Sequence, residues 1–295
     1  MTDKKQYIRL CKEAKYSSKI PVFLQSYWLD QSAENWDVCL YKKEEKIIAA
    51  LPYCWKGRLL TKRIYLPDSS FYQSILFFET VSDAERQQIA VQLFGQLPKT
   101  VKSYFKFLPE YTSIDLSGLS YTKEAYYTYL LLPDEETPLL STNHKRNIRK
   151  GLKNNYTIQP SNNTALSYSL LISTFSRQKI NSKINPEAFQ ALVELTKEHQ
   201  CGQLLNCLDD KKNVLASVFI VEDATTVYYL MGGYNHDFKN SGAMTYLLNH
   251  VIQQAGAVHK TFNFCGSNKK TIASFFEGFG ATRHPVNIWK KILKL

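Results

Sequence analysis

The spacing of apolar residues divides the first half of the chain into short helices and strands. Two segments place apolar residues at helical spacing, and these are residues 23–30 and 82–97. Four segments are short and rich in aromatic and β-branched residues, as strands are, and these are residues 36–41, 47–53, 101–107 and 126–132. Ser82 is a suitable N-cap for the second helix, and Pro98 follows the end of that helix. The pattern predicts a mixed α and β unit.

The second half of the chain alternates between the two patterns more regularly. Helical spacing occurs in residues 141–150, 166–177, 186–200, 244–255 and 272–277. Strand-like segments are residues 203–208, 214–221, 226–231, 260–264 and 287–293. Two prolines flank an acidic run at residues 133–138, which separates the two halves. We therefore predict an α/β protein with mixed α+β sheets in two domains, residues 1–135 and residues 136–295.

Composition limits the class of protein. A chain of 295 residues with 44% hydrophobic and 21% charged residues has enough apolar material for two ordinary globular cores. The N-terminal residues lack a signal-peptide pattern, and the longest apolar run, residues 214–221, is too short to span a bilayer. The six cysteines contain no C-x-x-C pair, so free buried thiols are expected. We expect a soluble, cytoplasmic protein with neither a metal site nor a covalently bound cofactor.

Charge points to an anionic partner. The chain carries 37 Lys and Arg against 26 Asp and Glu, which gives a net charge of +11 and favours nucleic acid, coenzyme phosphates or an anionic membrane surface. At about 100° per residue, five cations share one face of the predicted helix at residues 141–150 and its continuation: Lys145, Arg146, Arg149, Lys150 and Lys153. Ile148 and Leu152 lie on the other side, where we expect them to pack. The cationic face is predicted to bind an anion, with a merely solvated face as the alternative.

A strand that ends in paired glycines precedes the predicted helix at residues 244–255. Residues 228–235 read Tyr-Tyr-Leu-Met-Gly-Gly-Tyr-Asn, and residues 239–244 read Lys-Asn-Ser-Gly-Ala-Met. Glycines at such a position indicate a bulge or a ligand close to the backbone, and the unpaired N–H groups that start a helix bind anions. The candidate ligand-binding residues are Gly232, Gly233, Tyr234, Ser241 and Gly242. An ordinary strand-to-helix turn is the alternative.

The order of these segments resembles the GNAT (N-acetyltransferase) fold, and in particular its Fem-type branch of tandem GNAT-like domains. Four segments in this order carry the resemblance: basic residues 145–150, Met231-Gly-Gly, residues 262–266 and residues 275–281. The resemblance implies two tandem GNAT-like domains with the donor cleft in the C-terminal one. The cosubstrate would be acyl-CoA or aminoacyl-tRNA, bound by the glycine segment. Asn263 and Ser267 would orient the substrate.

The same resemblance assigns the anion-binding role of the basic helix to coenzyme A, to tRNA or to a peripheral anionic substrate. The residues concerned are Lys145, Arg146, Arg149 and Lys150. It also implies an acyltransferase that moves an N-acyl or aminoacyl group to an amine, with cell-wall or surface-polymer synthesis as the expected setting. One alternative is an enzyme that uses acyl-CoA on a small or polysaccharide amine without RNA.

Three residues differ from the family pattern, and they leave the catalytic residues unidentified. Met244 stands where the phosphate loop has a small residue, and Asn263 stands where Fem-like sequences often have Asp. Phe276 stands where many GNAT enzymes have the tyrosine that protonates the leaving thiolate, and a phenyl ring has no proton to give. The second alternative is therefore a degenerate, non-catalytic GNAT-like protein that binds an anionic ligand.

Overall fold

The computed structural model describes residues 1–133, 139–161, 163–179 and 184–293. The chain forms two compact units, one of Met1–Tyr127 with Pro285–Leu295 and one of Thr128–His284. The proline-flanked acidic run that motivates the predicted boundary lies, apart from its first residue, outside the described residues. The division into domains 1–135 and 136–295 therefore stays a prediction.

The elements follow one another as a mixture of short and long segments. The described helices are α1 (Asp3–Lys12), α2 (Ala14–Ser17), α3 (Ser26–Ser32), α4 (Asp83–Gly95), α5 (Thr142–Lys153), α6 (Thr164–Arg177), α7 (Pro186–Glu198), α8 (Ala243–Ala257) and α9 (Lys270–Glu277). The described strands are β1 (Asn35–Lys43), β2 (Lys46–Lys56), β3 (Arg63–Tyr65), β4 (Leu76–Phe77), β5 (Lys102–Lys106), β6 (Thr122–Leu131), β7 (Thr157–Pro160), β8 (Gly202–Leu208), β9 (Val214–Glu222), β10 (Thr226–Tyr234), β11 (Thr261–Asn263) and β12 (Thr282–Ile292).

In the first unit the strands pair in the order β1-β2-β3-β5-β12, and β4 also pairs with β2. The strands predicted at residues 36–41 and 47–53 are confirmed as β1 and β2, which pair as a hairpin closed by Glu44 and Glu45 with φ values of 48° and 64°. Ser82 begins α4 with a capping box, in which Glu85 N donates to Ser82 Oγ and Ser82 N donates to Glu85 Oε2. The end of β12 pairs with β5, so the last described strand completes this sheet.

The core of the first unit lies between its sheet and α4. Phe94 of α4 contacts Phe105 of β5, with ring centroids 4.7 Å apart, and Tyr121 at 5.2 Å. Trp289 of β12 is fully buried in the same cluster. Aromatic rings bury large areas and also attract one another edge to face, so they hold the sheet against the helix.

In the second unit the strands pair in the order β6-β11-β10-β9-β8-β7. Among the described strands of this unit, only β10 and β11 are parallel neighbours, and the other neighbouring pairs are antiparallel. Helix α6 packs on β10, α7 on β8, and α8 on β9, β10 and β11. The helices and strands predicted for residues 141–277 are confirmed with small shifts at their ends. Strand β10 runs three residues further than predicted, so Gly232 and Gly233 lie inside it.

Three further features concern the cysteines, possible metal ligands and possible membrane-spanning helices. All six cysteines are buried free thiols. Among the described residues, no group of three His, Cys, Asp or Glu side chains is arranged to hold a metal ion. In the same part of the chain, no helix combines the length and the apolar character needed to cross a bilayer.

Candidate functional site

Strands β10 and β11 part after three residue pairs. Thr226 pairs with Thr261, and the last pair is Tyr228 with Asn263. Beyond it, β10 continues to Tyr234, whereas Phe264 N donates to a carbonyl of β6. Strand β10 also shifts its register against β9 by one residue at Leu230, so a bulge lies two residues before the paired glycines at which it was predicted. The two strands of this parallel pair thus diverge beyond Tyr228 and Asn263, and we call the place between them the opening. Ligands of open α/β sheets commonly bind where the ends of neighbouring strands diverge.

Packing within the second unit explains why the paired glycines of β10 carry no side chain. A Cβ on Gly233 would collide with the carbonyl of Leu170, so the absence of a side chain lets α6 lie directly on the strand. A Cβ on Gly232 would collide with the hydroxyl of Tyr229. Gly232 therefore makes room for that phenol just past the bulge. Their predicted contact with the donor stays a prediction.

Tyr229 is a residue of the opening that the sequence reasoning missed. Its ring meets Phe264 and Phe276 edge-on, with centroids 6.4 Å and 6.2 Å apart, and its hydroxyl lies over Gly232. Removal of the phenolate from water, and secondarily the neighbouring Cys265 thiol, raises the pKa of Tyr229. The phenol therefore stays protonated at neutral pH and can donate a proton.

Phe276, the residue that stands in the tyrosine position of the family pattern, belongs to an aromatic cluster. It is buried and stacks on Phe264 with ring centroids 4.6 Å apart and an interplanar angle of 27°. The ring also contacts Tyr129 at 5.8 Å. Tyr229 thus lies beside Phe276, so a phenol is present next to the position where the family pattern puts one. The sequence signal that could have identified Tyr229 is a tyrosine just before a bulge and three residues before a glycine.

Asn263 and Ser267 make hydrogen bonds within the chain. Asn263 is buried, and its Oδ1 accepts from Thr128 Oγ1 at 2.6 Å and from Cys265 N at 2.8 Å. These bonds hold the end of β11 at the point where it leaves β10. Ser267 Oγ accepts from Lys269 N at 3.0 Å just before α9. Both residues border the segment that forms one wall of the opening, and their orienting roles stay predictions.

The start of α8 is a glycine N-cap turn, and its predicted anion binding stays a prediction. Gly242 is the N-cap with a left-handed φ of 78°, which favours glycine, and Ser241 Oγ accepts from Ala243 N at 3.2 Å. Tyr156 Oη donates to the Ser241 carbonyl at 3.3 Å. A Cβ on Gly242 would lie 2.9 Å from Cβ of Asn147, so α5 covers one side of this turn.

Tyr234, the last predicted donor-binding residue, ends β10 on the side of α6. Its backbone N donates to Thr174 Oγ1 at 3.3 Å, and its carbonyl accepts from Arg177 at 3.3 Å. The Arg177 guanidinium also lies over its ring at 4.7 Å. A cation therefore adjoins this end of the strand, which the sequence pattern did not indicate.

The packed face of α5 is shifted from the predicted one, because Ile148 is half-buried as predicted but Leu152 is not. Leu152 is 61% exposed, so its predicted packing is wrong, while His144 and Gly151 are buried. The reason is close helix packing, because a Cβ on Gly151 would collide with the ring of Tyr246 in α8. Because of this contact, His144, Gly151 and the half-buried Asn147 form the row of α5 that faces inward. Local hydrophobicity did not reveal a packing row of such polar and small residues.

His144 anchors the start of α5. Its ring is 3% exposed and packs between Phe275 and Phe279, with centroids 5.2 Å and 4.3 Å away. Its Nδ1 is hydrogen-bonded to Ser141 Oγ at 2.8 Å, and Ser141 N donates to the Gly278 carbonyl. Burial lowers the pKa of His144, because the imidazolium loses its hydration there.

The cations of α5 lie opposite this packed row and close to the start of α8. Lys150 Nζ donates to the Asn240 carbonyl at 2.6 Å, and Arg146 donates to Asn143 Oδ1 at 2.8 Å. Across the described ranges, none of the five cations forms an ion pair with a carboxylate. Lys145, Arg146, Arg149, Lys150 and Lys153 are all exposed. The structure therefore brings the predicted anion-binding helix and the Ser241-Gly242 turn together.

Comparisons with known proteins agree with this geometry. Residues 142–270 match the family model of the acetyltransferase (GNAT) domain. A crystal structure of FemX is similar over 96% of both chains, with 11% identity and a TM-score of 0.69. The C-terminal domain (DUF2156) of a putative lysylphosphatidylglycerol synthetase from Agrobacterium fabrum is similar over 83% of this chain and 81% of its own, with 9% identity and a TM-score of 0.52.

A tandem GNAT protein from the clavulanic acid biosynthesis pathway is similar over 98% of this chain and 94% of its own, with 8% identity and a TM-score of 0.51. Comparison with curated proteins gives no significant match. The chain thus has the α/β fold of tandem GNAT and Fem-type proteins, which confirms the predicted fold class.

Proposed function

We propose that the protein is an acyltransferase of the GNAT and Fem type, which transfers an acyl or aminoacyl group from acyl-CoA or aminoacyl-tRNA to an amine. The observation that carries the proposal is the parting of β10 from β11 after Tyr228 and Asn263, with the N-terminus of α8 following β10. An opening between diverging strands accepts an extended donor arm, and a helix N-terminus accepts its phosphates.

The donor would lie along β10 with its charged end toward α5. Beyond Tyr228 the β11-facing side of β10 is not used for strand pairing, so backbone groups there suit the amides of a pantetheine arm or the ester of an aminoacyl group. The turn at Ser241 and Gly242 would take a phosphate. Lys150 and the other exposed cations of α5 would add charge attraction to the same anion.

The chemistry needs orientation, a stabilised oxyanion and a proton for the leaving group. The acceptor amine attacks the thioester or ester carbonyl, and backbone N–H groups of β10 would stabilise the negative oxygen of the tetrahedral intermediate. As the intermediate collapses, the bond to sulfur or to the ribose oxygen breaks. Tyr229 would give its proton to that leaving atom and regain one from the attacking amine.

The test is donor binding by a variant that lacks the cations of α5. We expect binding to weaken, and the dependence of log affinity on log salt to flatten by about one unit for each phosphate that the variant no longer neutralises. The variant replaces Lys145, Arg146, Arg149 and Lys150 with Gln. A control variant replaces four other exposed lysines with Gln and therefore has the same net charge as the α5 variant. These lysines are Lys179, Lys197, Lys211 and Lys212.

The donor-binding experiment distinguishes the two donors from each other and the proposed function from its rivals. Binding of acetyl-CoA with competition by free coenzyme A supports an acyl-CoA enzyme, and binding of aminoacyl-tRNA alone supports an aminoacyl transferase. Unchanged affinity in the α5 variant would mean that the cationic face is only solvated. Failure of both donors to bind the unaltered protein would overturn the proposal.

A non-catalytic binding protein is the second candidate, and particular contacts favour it. Phe276 fills an aromatic cluster and offers no proton, and Asn263 is occupied by bonds to Thr128 and to the backbone. Under this alternative the opening still binds an anionic ligand, but no acyl group moves. Tight donor binding without turnover, in a screen of small amines, amino sugars and peptides, would support it.

We further propose that the protein acts in the cytoplasm on precursors of cell-wall or surface polymers. Aminoacyl-tRNA and coenzyme A thioesters are cytoplasmic metabolites, and the fold is similar to that of FemX. Transfer to a precursor amine by the purified protein is the measurement that tests this setting.

A further inference from the structure

At one end of the sheet in the first unit, a row of register partners crosses four neighbouring strands, and three of its four residues are cations. Lys56 of β2 is the register partner of Arg63 in β3, Arg63 is the partner of Lys102 in β5, and Lys102 is the partner of Ile292 in β12. Register partners on adjacent strands project from the same face of a sheet. Three cations and an isoleucine therefore stand side by side at one edge, and Arg63, Lys102 and Ile292 are exposed there.

A tight turn projects from the same edge and presents a leucine. Gly57 enters the turn with φ of 85°, and a Cβ there would collide with the carbonyl of Thr61. Thr61 Oγ1 accepts from Arg58 N at 3.1 Å and donates to the Arg58 carbonyl at 2.9 Å, which closes the turn. Leu60 lies at its tip and is 88% exposed. The turn holds an apolar side chain in water, which is unfavourable because the surrounding water is ordered.

Two more exposed aliphatic side chains lie next to this turn. Val101 N donates to the Lys62 carbonyl, and Leu293 N donates to the Val101 carbonyl, so the turn, the start of β5 and the end of β12 are neighbours. Ile292 is 67% exposed and Leu293 is 52% exposed. With Leu60 they form an apolar group within a cationic surface. We call the surface of residues 55–63, 99–102 and 289–293 the basic edge.

The basic edge has cations but no acidic residue. Besides the row it contains Arg58, Lys62, Lys99, Lys290 and Lys291, and its three segments include neither Asp nor Glu. In the part of the chain that the structure describes, Lys290 pairs with Glu124 of β6, and the other cations of the basic edge form no ion pair. Lys62 instead lies over the ring of Trp55 at 4.0 Å. Like charges directly opposite on neighbouring strands repel, so an anionic surface that covers them removes an unfavourable interaction.

We propose that the basic edge docks the protein on an anionic lipid bilayer. The cations would lie at the level of the lipid phosphates, while Leu60, Ile292 and Leu293 enter the boundary of the acyl chains. Surface cations and a few inserted apolar side chains together give reversible membrane binding. The aliphatic tip favours a bilayer over RNA, because single-stranded RNA is bound by stacking on aromatic rings and duplex RNA by polar contacts to its backbone. The docking does not depend on the transfer activity proposed above.

Flotation with lipid vesicles tests the docking. The full chain is mixed with vesicles of phosphatidylcholine alone or with about 30% phosphatidylglycerol, and we expect binding only to the anionic vesicles, with weakening by salt. Replacing Lys56, Arg63 and Lys102 with Gln should lower the partition coefficient about a hundredfold, since each cation near the surface contributes about a fivefold factor. Leu60→Ser should lower it about tenfold without a change in net charge.

Two matched controls separate the basic edge from general charge and exposure. Lys197, Lys211 and Lys212 are exposed in the second unit, and their replacement with Gln should change binding by no more than about twofold. Leu139 is 86% exposed outside the basic edge, so Leu139→Ser should leave binding unchanged. Thermal melting of each variant checks that the fold is intact, and Leu60→Ser keeps the test valid if the triple variant unfolds.

Three outcomes would overturn the docking. The first is equal binding to neutral and anionic vesicles by the unaltered protein. The second is an equal loss in the triple control variant, because net charge alone would then explain the binding. The third is that the triple variant at Lys56, Arg63 and Lys102 loses binding to an RNA hairpin but keeps its binding to vesicles, which would make the basic edge an RNA surface.

Discussion

Tyr229 is the residue on which the proposed chemistry depends most. Its hydroxyl lies over Gly232 and beside Phe276, and burial raises its pKa, so it is a proton donor at neutral pH rather than a base. We expect Tyr229→Phe to lower kcat about a hundredfold with KM unchanged, since general acid catalysis contributes factors of this size. Steady-state kinetics with the donor that binds is the measurement.

Phe276→Tyr serves as the control for that variant. If Tyr229 supplies the proton, a second phenol in the aromatic cluster leaves kcat unchanged. A large gain from Phe276→Tyr, together with no loss from Tyr229→Phe, would show that Phe276 marks a weakened acetyltransferase site and that Tyr229 has no catalytic role.

Gly233 is also expected to contribute to the free energy of unfolding, because it lets α6 pack against β10. Because a Cβ there meets the carbonyl of Leu170, Gly233→Ala must push α6 away from β10. We expect a loss of about 1 to 3 kcal/mol in the free energy of unfolding, as overpacking usually costs. Gly95→Ala is the control, since a Cβ at the end of α4 meets nothing within 4 Å and should be neutral or slightly stabilising. Urea unfolding of both variants would refute the assignment if they behaved alike.

At the scale of elements, we expect the buried His144 at the start of α5 to make the stability of the second unit depend on pH. Burial lowers the pKa of His144 in the folded state, whereas the unfolded chain has the ordinary value of about 6.5. The unfolded state therefore binds more protons below that value, so the stability is complete above about pH 6.5 and falls as the pH decreases toward the folded pKa. We expect the urea midpoint to drop between about pH 7.5 and about pH 5.

His144→Gln removes the titrating group and keeps a hydrogen-bonding side chain near Ser141. The variant should lose part of the pH dependence while its stability at neutral pH also decreases. His284, which is hydrogen-bonded to Thr282 and is partly exposed, offers the control substitution. Equal slopes with pH in the two variants would mean that His144 does not couple α5 to protonation.

At the scale of the whole molecule, local signals predicted the class of fold and much of the element order. The capping box at Ser82, the hairpin turn at Glu44 and Glu45, and the glycine before α8 depend on neighbours within a few residues, so the sequence shows them. The order of such segments then resembled the GNAT fold, which the structural similarities confirm.

Features that depend on distant partners were missed for the same physical reason. The inward face of α5 is set by the contact of Gly151 with Tyr246, which is nearly a hundred residues away and has no local pattern. The short strands β3 and β4 exist because they pair with β2, and their own two or three residues carry no periodicity. Tyr229 became a site candidate only when β10 was seen to leave β11 at the preceding residue.

The pairing of β12 with β5 has a consequence for biosynthesis. Ribosomes deliver the chain from its N-terminus, so β5 and the aromatic core around Phe94 emerge long before Trp289 and its strand. Until then, β5 exposes an open edge and the cluster lacks its largest ring, a state that invites wrong pairing. The second unit, by contrast, has all of Thr128–His284 available earlier. We therefore expect the half of the protein that is translated first to finish folding last.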